Sequence, residues 1–156
     1  MVPPKISLST RQLTARIAEL QAVNERLQAE LIEQRQALRE TEKVLRRNQA
    51  LIRSFADGIY TMNGQGDLVE ANESFCRMLG YTPEEVARLN VCDWDAQWSA
   101  EELQLRLRAF IGRSAMFETV HRRKDGTLIN VEVCAAGEEI DGQAYVFASS
   151  RDITER

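Results

Sequence analysis

The sequence predicts an α+β fold: a five-stranded antiparallel sheet with short helices on one face, preceded by a long α-helix that forms a parallel dimeric coiled coil. Residues 13–52 contain neither glycine nor proline and repeat apolar side chains in heptads. The chain that follows alternates short apolar segments with turn-forming dipeptides, which indicates strands and hairpins. These segments run in the order two strands, several short helices and three strands, which is typical of helices on one side of an antiparallel sheet.

The long helix carries an apolar seam that predicts pairing with a second chain. With Ile17 at heptad position a and Leu20 at position d, the pattern favours two parallel strands. Asn24, also at an a position, favours the same state because paired asparagines fix the register of a dimer. The predicted interface residues are Leu13, Ile17, Leu20, Asn24, Leu27, Leu31, Leu38 and Leu45.

The seam changes in the second half of this helix. After Leu31 the d positions are Gln34, Thr41 and Asn48, while apolar residues appear at the g positions. A stripe that rotates around a helix indicates a change of packing partner. We expect the first half to pair with a second chain and the second half to begin packing on the globular domain. The alternative, a helix lying along its own domain, requires a longer domain than the remaining chain supplies.

Composition limits the class of protein. The 156 residues carry a net charge of −4, which does not favour nucleic acid or an anionic membrane as partner. The three cysteines have no paired spacing, so we expect a reducing, cytoplasmic compartment and small buried apolar side chains rather than ligands. The expected organisation is a disordered N-terminus at residues 1–9, a coiled-coil helix at 10–52 and a globular domain at 53–156.

Local signals place the first elements of the globular domain. Ser9 or Thr10 caps the long helix. Strands at residues 59–62 and 68–70 flank a turn rich in glycine, which predicts a hairpin. Asn72 is expected to cap the short helix that follows.

That short helix is predicted over residues 73–79, before Gly80. Two capping boxes then predict two further helices. Thr82 with Glu85 starts a helix that ends near Leu89, and Ser99 starts one over residues 100–111.

The remaining elements complete the sheet. The segment at residues 90–98 holds both tryptophans and is expected to be irregular. Strands are predicted at residues 115–123, 128–136 and 143–152, with a hairpin at Asp141-Gly142. The middle strand alternates apolar and polar side chains, whereas the last is apolar on both faces. We therefore expect the short helices to cover one face of the sheet and the second half of the long helix to cover the other.

Several motifs, in this order, resemble the PAS domain family. GDLVEANESF at residues 66–75 and LGYTPEE at 79–85 resemble the opening of such a domain. HRRKDGT at residues 121–127 resembles the hairpin between its last long strands, and RDITER at 151–156 resembles its closing motif. Together they cover about residues 53–156. They are specific for the family but do not identify a ligand.

The resemblance implies a cytoplasmic sensory input module of bacterial two-component or cyclic di-GMP signalling. Such a module is not an enzyme; it forms a homodimer through its N-terminal helix and transmits a signal to a histidine kinase or diguanylate cyclase output domain outside this sequence. Asp152, Ile153 and Thr154 are expected at the signal output. The alternative is a constitutive dimerisation scaffold without a ligand. The sequence leaves open whether a membrane span lies upstream.

His121 is the single histidine, so both a Ser-His-Asp triad and a haem ligand depend on it. It lies in a predicted strand, whereas haem-binding relatives carry their histidine on the helical side of the pocket. Cys76 and Arg77 lie in the wrong helix for the flavin–cysteinyl branch of the family. We expect no catalytic residues, no metal and neither haem nor flavin; a haem- or flavin-binding redox or gas sensor is the alternative.

The remaining candidate site is a small cavity between helices and sheet. The predicted pocket residues are Phe75, Met78, Trp94, Trp98, Phe110, Val131, Val133 and Val146. These side chains either fill the core or enclose a small apolar ligand, and both interpretations stay open. Asp93 and Asp95 flank Trp94 and are either polar anchors of that pocket or turn residues facing water.

Overall fold

The computed structural model describes residues 1–2 and 9–156. The chain divides into two compact units, residues 1–48 and residues 49–156. The expected disordered segment at residues 1–9 falls mainly on residues 3–8, which lie outside the described part of the chain.

Helix α1 spans Thr10–Ser54 and is 45 residues long. Ser9 caps it, because the Gln12 N–H donates to Ser9 Oγ and the Ser9 N–H donates to Gln12 Oε1. No residue of α1 is buried, and the side chains of the predicted seam expose between 45% and 59% of their surface, as at Leu31 and Leu38. Across the described residues, no helix has the length and apolar character needed to cross a membrane.

The sheet has five antiparallel strands, as predicted. They are β1 (Gly58–Asn63), β2 (Leu68–Ala71), β3 (Ser114–Arg122), β4 (Leu128–Ile140) and β5 (Gln143–Asp152). Their order in the sheet is β2-β1-β5-β4-β3, and Gly58 pairs with Ser150. Strands β1 and β5 are therefore adjacent within the sheet, which brings the entry and the exit of the domain together.

Four short helices lie between β2 and β3. They are α2 (Glu73–Leu79), α3 (Pro83–Val86), α4 (Val91–Trp94) and α5 (Ala100–Phe110). The predicted N-caps Asn72, Thr82 and Ser99 are confirmed, since each side chain accepts a backbone N–H of the first helical turn. Helix α3 ends at Val86 rather than near Leu89.

The prediction that residues 90–98 are irregular is wrong for Val91–Trp94, which form α4, whereas residues 95–98 belong to no helix and no named strand. The Asn90 side chain accepts the Cys92 N–H, and the Asn90 N–H donates to Asp93. This is a capping box built from Asn and Asp instead of the more familiar Ser or Thr with Glu. The box fixes the position of Trp94 at the end of the helix.

The core lies between the short helices and the inner face of the sheet. The alternation predicted for β4 is confirmed, with Ile129, Val131, Val133 and Ala135 buried. Three aromatic rings form the centre of the core: Tyr60 stacks on Phe75 with centroids 4.2 Å apart, and Trp94 meets both rings edge-on.

The opposite face of the sheet is open within residues 49–156. Phe147 and Met116 are exposed there, so only one face of β5 is buried. The end of α1 that belongs to this unit is also exposed, as at Leu51. The cysteines follow the same division: Cys76 is buried, but the prediction of a buried side chain is wrong for Cys134, which is exposed.

Candidate functional site

A small cavity lies between α4, α5 and the inner face of the sheet. Its volume is about 40 Å³, which is room for about three water molecules at roughly 10–15 Å³ each. Aromatic and aliphatic side chains form most of its wall. Among the described residues, seven lining side chains carry polar groups, namely Tyr60, Trp94, Asp95, Trp98, Arg106, Thr119 and His121.

The predicted pocket residues divide into two groups. Those that line the cavity are Trp94, Trp98, Phe110, Val133 and Val146. Phe75 and Val131 are fully buried elsewhere in the core, and Met78 packs against that core.

Lining residues that the sequence analysis left out come mainly from β3 and α5. On β3 they are Phe117, Thr119 and His121, which follow the two-residue period of a strand. Leu103 and Leu107 are four residues apart on one face of α5. Both patterns were present in the sequence and could have identified these residues.

Asp95 is a buried acid in the cavity wall. Its carboxylate accepts the backbone N–H groups of Gln97 and Trp98 at 3.0 and 3.2 Å, and the Thr119 hydroxyl at 3.2 Å. Burial raises the pKa of this carboxyl, although the hydrogen bonds oppose the shift. Asp93, by contrast, is exposed and serves the α4 cap. Of the two acids beside Trp94, only Asp95 lines the cavity.

His121 is 1% exposed and belongs to the cavity wall. Among the described residues its Nδ1 atom has no hydrogen-bond partner. Burial lowers the pKa of the imidazole to about 4, because the charged form loses its hydration. The side chain is therefore neutral at neutral pH, and within the described residues its Nδ1 has no carboxylate partner of the kind that a Ser-His-Asp triad requires.

Trp98, like His121, has an unpartnered polar atom in the cavity wall. Its indole N–H is buried without an acceptor in the part of the chain that the structure describes, and an unmet buried donor costs about 1–3 kcal/mol. The N–H of Trp94, although near the Tyr60 hydroxyl, also lacks a hydrogen bond of good geometry there. The guanidinium of Arg106 lies 3.5 Å above the ring centroid of Trp98 and covers one face of it.

Tyr60 connects the cavity to the centre of the sheet. Its ring lines the cavity, and its hydroxyl accepts a hydrogen bond of 3.1 Å from Ser150 Oγ. Burial raises the pKa of the phenol to about 12. Because Ser150 pairs with Gly58 at the start of β1, this hydrogen bond lies next to the entry of the domain.

The Asn72 side chain binds that entry directly. Its Oδ1 atom accepts the backbone N–H groups of Ile59 and Phe75, and its Nδ2 atom donates to the carbonyls of Ile52 and Asp57, all at 2.9–3.1 Å. The full hydrogen-bonding capacity of the amide is used. One side chain thus joins the last turn of α1, the first strand and helix α2.

Ser74 adds a further bond to this junction. Its hydroxyl donates to the carbonyl of Phe55 at 2.8 Å. The carbonyls at the C-terminal end of a helix have no partner within the helix. Asn72 supplies a donor for the Ile52 carbonyl, and Ser74 supplies one for Phe55 just after the helix. The sequence indicated Asn72 as a helix cap, but it gave no sign of the contact with α1.

The exit of the domain is tied to its entry. Arg151 forms a two-pronged ion pair with Asp57 at 3.0 and 2.9 Å. Of the predicted output residues, Asp152 pairs with Arg123 at 3.3 Å, while Ile153 and Thr154 form hydrogen bonds with the backbone of Asn130. The closing motif is therefore fixed against β4.

Known proteins share this fold. The sequence profile of the PAS domain family matches residues 56–155. Sporulation kinase E of Bacillus subtilis (strain 168) is 24% identical over 140 residues, which cover 85% of this chain and 18% of that protein. The chain thus spans less than a fifth of the length of this relative.

Two solved structures of PAS domains have a similar fold. The PAS domain of an HTR-like protein from Haloarcula marismortui is 30% identical, with a TM-score of 0.71, and the match covers 76% of this chain and 99% of that one. A PAS domain from a two-component sensor histidine kinase is 19% identical, with a TM-score of 0.61 over 72% of this chain and 98% of that one. The match to the family profile and the fold confirm the resemblance noted in the sequence: this chain belongs to the PAS domain family.

Proposed function

We propose that this chain is a sensory input module that dimerises through α1 and transmits a change in its cavity to an output domain of the histidine kinase or diguanylate cyclase type. One observation carries the proposal. The Asn72 amide binds the Ile52 carbonyl of α1, the Ile59 N–H of β1 and the Phe75 N–H of α2. A shift of β1 or α2 therefore changes the hydrogen bonds at the end of the signalling helix. The similarity to sporulation kinase E favours a kinase output.

Packed side chains connect the cavity to this junction. Tyr60 lines the cavity and stacks on Phe75, which follows the Asn72 cap. Gly58 at the start of β1 is also in close contact with Phe75, since a Cβ atom on Gly58 would lie 2.9 Å from Phe75 Cδ2. Such contiguous packing can carry coupling between two sites when the elements have two arrangements.

The exposed seam of α1 supports the dimer. Its leucines leave about half of their surface in water, as at Leu20 and Leu27, and full burial of one such side chain contributes roughly 1.5–3 kcal/mol. A second copy with the same seam would supply that burial. Polar residues at d, such as Gln34 and Thr41, would keep the second half weaker, so that two helix arrangements of similar energy are accessible.

The cavity supports a small ligand rather than a large coloured cofactor. A volume of about 40 Å³ accommodates a few non-hydrogen atoms, whereas a haem or a flavin would have to displace surrounding side chains such as Trp94. We therefore propose that the module uses neither haem nor flavin and that it has no enzymatic activity of its own.

Tyr60→Phe tests the coupling. Removing the hydroxyl leaves Ser150 Oγ buried without its partner, which should loosen the pairing of β1 with β5 near Gly58. We expect faster hydrogen exchange of the amides at residues 49–54, measured relative to the amides of α5. Tyr145→Phe is the matched control, since among the described residues the Tyr145 hydroxyl binds only the exposed Gln143. A constitutive scaffold predicts equal exchange at residues 49–54 in both variants, and that result would refute the coupling.

Removal of residues 1–35 tests the dimer. The truncated chain keeps the unit at residues 49–156 but loses most of the apolar seam. We expect it to remain folded by circular dichroism and to dimerise much more weakly than the full chain. Sedimentation at matched micromolar concentrations measures this. A truncated chain that stays fully dimeric would show that α1 is not the main interface.

A further inference from the structure

The polar side of the cavity wall restricts what the cavity can bind. An indole N–H is a donor only, and that of Trp98 is buried with no acceptor among the described residues. An occupant that satisfies it must carry a hydrogen-bond acceptor, such as a carbonyl or hydroxyl oxygen. The buried His121 ring, whose Nδ1 is also unpartnered in the described part of the chain, can either accept from an occupant or donate to it.

The charges around the cavity disfavour an anion. Asp95 is a buried carboxylate in the wall, and no cation among the described residues forms a salt bridge with it. Arg106 is the one other lining residue that is charged at neutral pH. Its guanidinium lies on Trp98, and its positive charge attracts Asp95. An anion would therefore meet a carboxylate without a free compensating charge.

The rest of the wall restricts the body of the occupant. Side chains such as Leu107, Phe117 and Val146 enclose it, so its carbon skeleton is expected to be apolar. The volume limits it to a few non-hydrogen atoms.

We propose that the cavity binds a small neutral carbonyl or hydroxyl compound whose oxygen accepts the Trp98 N–H, with His121 as its second polar contact. This inference rests on the proposed sensory function and adds the chemical class of its ligand. Arg106 covers one face of the Trp98 ring and thereby holds that indole in place. The Asp95 carboxylate repels a carboxylate ligand that has the same shape as such a neutral compound.

Acetone and acetate test the proposal, because they have nearly the same shape and differ in charge. The full chain contains two tryptophans, so a ¹⁵N-labelled sample gives two indole N–H resonances. At pH 7 we expect acetone to move the Trp98 resonance downfield and saturably. Acetate should bind at least about tenfold more weakly. Xenon, an apolar probe of comparable size, should produce no downfield shift.

Trp98→Phe assigns the resonance and serves as the matched variant, since it keeps an aromatic ring and removes the N–H. Its binding of acetone, followed by the chemical shift of Thr119, should weaken. A cavity that holds water only would give no saturable shift with acetone, and equal binding of acetone and acetate would show no selection by charge; either result overturns the inference.

The outcome is distinguishable from that of the proposed function. Acetone binding without any change in hydrogen exchange at residues 49–54 would leave the ligand class standing and remove the coupling. If Tyr60→Phe showed the coupling but acetate bound as strongly as acetone, the coupling would stand and the ligand class would be wrong.

Discussion

Replacing Asn72 with alanine is expected to lower the free energy of unfolding by about 3 kcal/mol. Four backbone groups lose their partner at once, and an unsatisfied buried group costs about 1–3 kcal/mol, less where water can reach it. Urea denaturation at one protein concentration measures the change. Asn130→Ala is the control, since the Asn130 side chain is exposed and makes no hydrogen bond with any described residue.

Asn72→Asp separates the two roles of this residue. The aspartate keeps an oxygen that accepts the N–H groups of Ile59 and Phe75, so the cap of α2 survives. Its second oxygen replaces the amide that donates to the carbonyls of Ile52 and Asp57, and it would face both of them at about the same distance.

The aspartate variant should therefore release the end of α1 and leave α2 intact. Hydrogen exchange is expected to accelerate at residues 49–54 and to stay unchanged at residues 76–79. If Asn72→Ala destabilised the protein no more than Asn130→Ala, or if Asn72→Asp left residues 49–54 as protected as before, the junction would not hold the helix.

The fold was readable from the sequence where its signals are local. The caps at Asn72, Thr82 and Ser99 depend on a side chain and a backbone N–H two or three residues away. The hairpin at Asp141-Gly142 depends on two residues with positive φ, observed at 50° and 77°. Helix α4 was missed because its capping box uses an uncommon pair of side chains, although its geometry is the same.

The polar side of the cavity was not readable in this way. Asp95 and His121 belong to different elements and form an isolated bridge between the segment after α4 and β3. The Ala96 N–H completes this contact by donating to the Val120 carbonyl at 2.8 Å. No spacing rule connects residues so far apart in the chain, so the sequence left open whether Asp95 anchors the pocket or faces water, and it did not place His121 beside it.

Burial alone also does not identify a lining residue. Phe75, Trp94 and Val131 are all fully buried, yet only Trp94 faces the cavity. The difference comes from where each helix or strand meets its neighbour, which periodicity does not determine. The double role of Asn72 has the same origin, because its second partner, Ile52, lies 20 residues earlier in the chain.

Protonation of one buried side chain, His121, should contribute to the destabilisation of this protein in acid. The pKa of His121 is about 4 in the folded chain and 6.5 in the unfolded one. Between these values the unfolded chain binds more protons than the folded one. The contribution of the neutral His121 side chain to folding stability is therefore fully present above pH 6.5 and is lost as the pH falls toward 4. At about 1.4 kcal/mol per pKa unit, the loss amounts to about 3 kcal/mol.

His121→Gln removes this dependence. We expect the variant to lose about 3 kcal/mol less stability than the parent between pH 7 and pH 4, whatever its stability at pH 7. Denaturant unfolding at several pH values and one protein concentration measures the difference. The other ionisable groups that line the cavity are present in both proteins. Asp95 has a raised pKa and acts in the opposite direction, and the pKa of Tyr60 is about 12.

The titration can also be observed directly. His121 is the single histidine of the chain, so the imidazole C–H resonances in a proton NMR spectrum belong to it without further assignment. In the folded protein they should stay unchanged from pH 8 to about pH 5 and move only as the pH approaches 4. In urea, where the side chain is hydrated, they should titrate near 6.5. A midpoint near 6.5 in the folded protein would mean that water reaches the ring, and the cavity would then be open rather than enclosed.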